Sequence, residues 1–110
     1  MPVGYNPKVC KKLREEGFHA ESVDHWNAHT RRMHDLFGCI DVLGVGPEGT
    51  IAVQVTSRSN MSTRVKKLRA SEALPFMLAA GWRVEVWGYH KPSRFWELHR
   101  VSVGPDVTLD

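Results

Sequence analysis

Apolar positions along this chain fall into two stretches with helical spacing and five strand-like runs. In the first stretch Val9, Cys10, Leu13 and Phe18 mark one apolar side. Asn6-Pro7 supplies a start, with Asn6 as N-cap and Pro7 at the first helical position, and Gly17 supplies a C-cap. The spacing predicts a helix near 7–16. The run 20–26 (AESVDHW) alternates weakly and reads as a first strand, whereas 27–35 is polar and irregular, a loop or a frayed strand end. Residues 36–45 are apolar and rich in β-formers, interrupted by Gly38 and Gly44. Gly46-Pro47-Glu48-Gly49 is a turn signal, and 50–56 (TIAVQVT) resumes the alternation, so the two runs predict a hairpin.

Residues 57–60 read as a loop. A second helix is expected from about Met61 to Gly81, turning Val65, Leu68, Leu74, Met77 and Leu78 to a core. Pro75 interrupts it at a cost of about 3 kcal/mol in a helix interior, so a kink or a restart is expected there. Strands are expected at 83–89 and 95–103, and a loose tail after Gly104. The order α-β-β-β-α-β-β, without repeats or low-complexity segments, predicts an α/β fold with a mixed central sheet flanked by helices.

At 110 residues, the chain is expected to be one domain spanning 1–110. Apolar residues make up 42% and charged residues 25%, which excludes a disordered composition. No apolar run reaches the roughly 18 residues a membrane span needs. The stretch MPVGYNPKVCKKL carries no signal-peptide core, so a cytoplasmic location is expected. Cys10 and Cys39 form no CxxC pair and read as reduced core thiols. The net charge of +3 is unevenly spread: Arg58, Arg64, Lys66, Lys67 and Arg69 occur within one acid-free stretch, while Glu15, Glu16, Glu21 and Asp24 gather nearer the start. Such a one-sided basic segment suits a polyanion or, more plainly, a solvated helix face.

Asp41 lies in the first arm of the expected hairpin, a costly place for a carboxylate unless something binds it. Gln54 and Thr56, two apart on the second arm, share a face. A turn at Pro47-Glu48 makes Asp41 and Gln54 near cross-strand neighbours, which clusters oxygen ligands suited to a hard cation such as Mg²⁺. Asp35 precedes Asp41 by an even offset and reads either as a further metal ligand or as a surface acid paired with Arg31 or Arg32. His25, His29, His34 and Cys39 raise a zinc alternative, but no glutamate follows His25 and the segment is a poor helix, so loop or nucleic-acid-contacting histidines are the better reading. Of Trp26, Trp82, Trp87 and Trp96, most are expected in the core or half-buried rather than stacked on bases.

The pattern of Asp41 followed across a hairpin by Gln54-Val55-Thr56 resembles the PD-(D/E)XK nuclease superfamily, whose signature is an Asp and then Glu/Gln-x-Lys. The resemblance extends to the basic helix after the motif (Arg64-Val65-Lys66-Lys67-Leu68) and to the strand after a glycine-terminated helix (Ala80-Gly81-Trp82-Arg83-Val84), and covers about residues 7–90. Within the superfamily the chain looks like small phage or bacterial relatives of archaeal Holliday-junction resolvases and VRR-NUC domains.

This resemblance implies a restriction-endonuclease-like core and a DNA endonuclease using Mg²⁺ or Mn²⁺, with branched DNA as substrate and a homodimer as the working form. It assigns metal binding to Asp41 and Gln54, with Asp35 a candidate by its offset alone, and catalytic roles to Asp41, Gln54, Thr56 and a helix-one acid, Glu15 or Glu16. Arg58, Arg64, Lys66 and Lys67 would hold the DNA backbone. Gln54 stands where most members have a charged ligand, and Thr56 where they have a lysine; Arg58, Arg64 and Lys67 are the cations placed to take the lysine's role. A non-catalytic DNA-binding or assembly module on the same fold is the alternative.

Overall fold

A computed structural model describes residues 4–104; the tail expected after Gly104 lies outside them. The elements are α1 (Asn6–Glu15), β1 (His19–Ser22), β2 (His25–Asn27), β3 (Arg32–His34), β4 (Val42–Gly46), β5 (Gly49–Ser57), α2 (Met61–Arg69), α3 (Leu74–Ala79), β6 (Arg83–His90) and β7 (Glu97–Ser102), with a 3-10 turn, Arg58–Asn60, leading into α2. Five strands form one mixed sheet in the order β1-β4-β5-β6-β7, and β2 and β3 form a separate hairpin. Only β5 and β6 run parallel, so the chain between them crosses over the sheet through α2 and α3. The α/β architecture is the one the periodicity predicts.

Alternation along β5 divides the molecule into two cores. Ile51 and Val53 pack with Val9, Cys10 and Leu13 of α1 and with Trp87 of β6. Ala52 packs on the opposite face with Met61, Leu68, Leu74 and Met77 of α2 and α3. By the same period of two, Gln54 and Thr56 lie on the α2 side of the sheet. Cys10 and Cys39 are both buried free thiols. No helix among the described residues is long and apolar enough to cross a membrane.

Three local expectations are corrected, and the break expected at Pro75 is found. Asn6 is not the N-cap of α1: Tyr5 is, and Asn6 begins the helix with its side chain turned to Asp24. The run 20–26 divides at Val23-Asp24, and 27–35 is no loop but the turn and second arm of the β2–β3 hairpin. Asn27 Oδ1 accepts the His29 and Thr30 N–H groups, an Asx turn that closes it. The strand expected from residue 36 begins only at Val42, because 36–40 fold into a turn in which Leu36 bridges Ile40 and Phe37 and Gly38 both have positive φ (55° and 73°). The long second helix is two helices, restarting with Pro75 in the first turn of α3, where a missing N–H costs little.

Candidate metal centre

The β4–β5 hairpin sets the register of the site. Gly46 pairs with Gly49 and Val42 with Val53, which puts Asp41 opposite Gln54. Asp41 extends the ladder one step beyond β4 on both sides: its N–H donates to Val53 O at 2.9 Å and its carbonyl accepts from Val23 N at 2.8 Å. Its side chain is buried. Asp41 Oδ2 accepts the Gln54 amide Nε2 at 2.6 Å and the Val55 N–H at 2.8 Å.

The separate hairpin brings two further acids. His25 pairs with His34, so Asp24 and Asp35 stand at the next position of the register, at the hairpin's base. Oxygen atoms from Asp24, Asp35 and Asp41 all lie within 4.8 Å of one another. Asp24 is steadied from α1, where Asn6 Nδ2 donates to both of its carboxylate oxygens at 3.1 and 3.0 Å. Asp35 is not on one strand with Asp41, as its even offset would have it: a turn at 36–40 separates them and carries Asp35 to the same place.

Three carboxylates this close repel one another. Burial pushes the Asp41 carboxyl up to about 7; the Val55 N–H opposes the rise, and Asp35 and Asp24 add to it. Among the described residues no cation pairs with Asp24, Asp35 or Asp41. A second feature at this spot is independent of the charges. Gln54 is 2% exposed, and while its Nε2 faces Asp41, its Oε1 is buried without a hydrogen-bond partner among the described residues. An ionised carboxylate only accepts, so beside Asp41 the amide turns its NH₂ inward and its oxygen is left over. A buried carbonyl oxygen without a partner costs about 1–3 kcal/mol. Three anionic oxygens and one orphaned neutral oxygen are the donor set of a hard divalent cation, so the residues present fit Mg²⁺ or Mn²⁺.

Thr56 is buried on the same strand face as Gln54, opposite Gly88 of β6. A Cβ at Gly88 would come within 3.0 Å of the Arg58 Cα and collide with the Met61 side chain, so glycine there lets the 3-10 turn and the start of α2 lie against the sheet beside Thr56. Lys67, on α2, is exposed. The Cys39 thiol is raised by its burial, lowered by Ser71 and Lys67, and raised again by Asp35 and Asp41. The charges of Lys67, Asp35 and Asp41 are thus all felt at one thiol. Arg64 is half-buried one turn earlier on α2, while Arg58 and Lys66 are exposed. None of these four basic residues is in an ion pair among the described residues.

Glu15 and Glu16 are not brought to the cluster. Both are exposed at the C-terminal end of α1, whereas it is Asn6, at the other end, that touches Asp24. Glu16 bonds Arg100 at 2.7 Å, and Glu15 lines a cleft with Lys8, Lys11 and Lys12. The acid that joins Asp41 and Asp35 is Asp24. The Asx-turn signal at Asn27 was its sequence trace, because a hairpin closed there brings Asp24 and Asp35 together. Of the histidines, His25 and His34 stack at 5.7 Å on the hairpin, and His29 lies in its turn. Trp87 is fully buried, while Trp26 and Trp96 are exposed.

No protein-family model matches the chain, and no curated protein matches it. Among solved structures, Hjc of Archaeoglobus fulgidus, a Holliday junction resolvase from an archaeal hyperthermophile, is similar with 18% identity and a TM-score of 0.49, over 86% of this chain and 67% of that one.

Proposed function

We propose that this protein is a divalent-metal-dependent nuclease that hydrolyses phosphodiester bonds in DNA. The observation that carries the reading is the meeting of Asp24, Asp35 and Asp41 beside the orphaned Gln54 Oε1. Asp41 and Gln54 hold the cation from the central sheet, and Asp24 and Asp35 hold it from the base of the β2–β3 hairpin. A bound Mg²⁺ or Mn²⁺ would supply Lewis acidity and positive charge for phosphodiester hydrolysis.

The chain's own residues do the rest. Asn6 orients Asp24, and the Val55 N–H and Gln54 Nε2 fix the rotamer of Asp41. Lys67 and Arg64 on α2 offset phosphate charge in place of the lysine that Thr56 replaces, and Arg58 and Lys66 hold the backbone to either side. The hairpin adds Arg31 and Arg32 above the acids, within a run, 25–34, that contains no acid. Cutting both strands of a duplex takes two such sites, so a homodimer belongs to this proposal.

One feature favours the alternative of a DNA-binding module without hydrolysis: Thr56, 6% exposed, puts a neutral hydroxyl where the motif has an ammonium. Incubating the purified protein with linear, supercoiled and four-way-junction DNA, in Mg²⁺, Mn²⁺ or EDTA, separates the two. Metal-dependent products that vanish in EDTA and in Asp41→Asn support the nuclease. Binding to all three DNAs with no product in either metal supports the module.

A further inference from the structure

A second surface, not used by the metal centre, gathers aromatic rings and lysines at the N-terminal end of α1 and the loop joining β6 to β7. Trp96 is 42% exposed and Phe95 73% exposed, adjacent residues on that loop. Trp96 is held from beneath: Tyr5 and Tyr89 stack at 5.3 Å, and each meets the Trp96 ring edge-on, at 5.6 and 6.3 Å. The Lys8 and Lys91 ammonium groups each lie 5.2 Å from the Trp96 ring centre. Residues 91–96 (KPSRFW) contain two basic residues and no acid. Lys8 and Tyr89 also line a cleft of about 350 Å³ that continues along α1 with Lys11 and Lys12 against one acid, Glu15. Lys8, Lys11, Lys12 and Lys91 are in no ion pair among the described residues.

Packed rings beside unpaired cations, leading into a lysine-lined groove, suit a ligand that alternates flat faces with negative charges. In duplex DNA the base faces are stacked on one another and only their edges are open, so a ring platform has nothing to take. Unpaired nucleotides offer both a face and a phosphate, and stacking on aromatic side chains is indifferent to base identity. The cations over Trp96 are exchangeable: a base can take the place of an ammonium on the ring, and the freed ammonium can pair with the adjoining phosphate. The surface also adjoins the acids, because Tyr5 precedes Asn6, which holds Asp24.

We propose that Phe95 and Trp96, with Lys8, Lys91 and the α1 lysine groove, form a binding platform for unpaired nucleotides. Resting on the nuclease reading of the acid cluster, this makes the substrate DNA with a single-stranded segment beside the scissile bond. The platform presents the rings, the groove tracks the backbone, and the strand reaches Asp24 past Tyr5 and Asn6.

The test is fluorescence anisotropy in EDTA with labelled oligothymidylate, a blunt duplex and a tailed duplex, for wild type and for Phe95→Ala, Phe95→Tyr, Phe95→Leu and Trp96→Ala. Phe95 is too exposed for its removal to unfold the protein, which keeps the test valid if Trp96→Ala misfolds. Phe95→Ala and Phe95→Leu should weaken oligothymidylate and tailed-duplex binding by about five- to a hundredfold, with blunt-duplex binding changed by less than about twofold and Phe95→Tyr like wild type. Equal losses on all three DNAs, no loss on any, or full rescue by leucine would overturn the platform. So would binding to anionic vesicles that Phe95→Ala abolishes while oligothymidylate binding stays unchanged. Because binding in EDTA is independent of hydrolysis, selective binding by a protein that cuts nothing would sink only the nuclease reading. Equal cleavage of blunt and tailed duplex by wild type and Phe95→Ala would sink only the platform.

Discussion

Two carboxylates are buried in the same sheet and are treated in opposite ways. Glu85, on the α1 face of β6, accepts Trp87 Nε1 at 2.8 Å, an Arg83 guanidinium nitrogen at 2.9 Å and two Arg100 nitrogens at 3.3 and 3.2 Å. Arg100 in turn lies 4.1 Å over the Trp87 ring and bonds Glu16, tying α1 to β6 and β7. Burial pushes the Glu85 carboxyl up, but the Trp87 and Arg83 hydrogen bonds and the Arg100 and Arg83 charges outweigh it and leave it below the usual range. Asp41, on the α2 side, has a neutral amide and one backbone N–H as donors and two carboxylates for neighbours. This fold neutralises a buried acid with its own arginines when the acid is structural. At Asp41, among the described residues, it supplies no cation.

The comparison breaks most visibly on activity. Asp41→Asn keeps an acceptor for the Val55 N–H while removing the charge to which the proposed function assigns the metal. Cleavage should fall by at least about a hundredfold. DNA binding should be unchanged or slightly tighter, since a negative charge near the phosphates is gone. Electrophoretic cleavage and binding assays on one preparation check both. Cleavage equal to wild type would remove Asp41 from the chemistry.

Glu85→Gln should act on stability instead. It leaves the half-exposed Arg83 and the partly exposed Arg100 facing a neutral side chain, at a cost of roughly 1–3 kcal/mol in urea unfolding, with metal affinity retained. A variant as stable as wild type would show that the Glu85 network is not what neutralises that face.

The pH dependence of metal-free stability separates the two acids by sign. The folded-state pKa of Asp41 is raised, from 3.8 to about 7, so the native state binds the extra proton within that window. Its contribution therefore falls as pH rises from about 4 towards 7, and is flat above. Glu85 is depressed from 4.5, so its contribution is full above the unfolded value and is lost as pH falls through the lower folded one. Urea unfolding in EDTA across this range should show decline on the acid side that Glu85→Gln abolishes, and decline towards neutrality that Asp41→Asn abolishes. A profile that neither variant alters would contradict both assignments.

How much of this was legible in the sequence depends on how local the cause is. The turn at 46–49 and the period of two fix Asp41 opposite Gln54, so the heart of the site could be read from one hairpin. Pro75 announced the restart at α3. The β2–β3 hairpin was missed because its turn is closed by an Asn27 side chain without a glycine, and Asp24 was missed with it. Phe37 takes a positive φ that no local rule assigns to a phenylalanine, so the turn at 36–40 read as strand. The Glu85–Arg100–Glu16 network joins three elements through the β6–β7 register and the docking of α1. Neither appears in any short window.

The smallest expected effect concerns α2, where cations are unpaired rather than buried. Reversing Arg64 and Lys67 together should weaken duplex binding and lower the salt slope by about 0.9 for each phosphate no longer neutralised. An unchanged slope would take this helix out of the interface.

The central claim is that the deficit of positive charge around Asp41 is a metal site, and calorimetric titration of Mn²⁺ into the metal-free protein tests it most directly. One ion per chain should bind to wild type and equally to Glu16→Gln, whose carboxylate serves Arg100 instead. Asp41→Asn should weaken binding by about tenfold or more, and Gln54→Glu should tighten it, since a charged oxygen then replaces a neutral one. No binding to wild type, or the same affinity in wild type, Asp41→Asn and Gln54→Glu, would contradict the account.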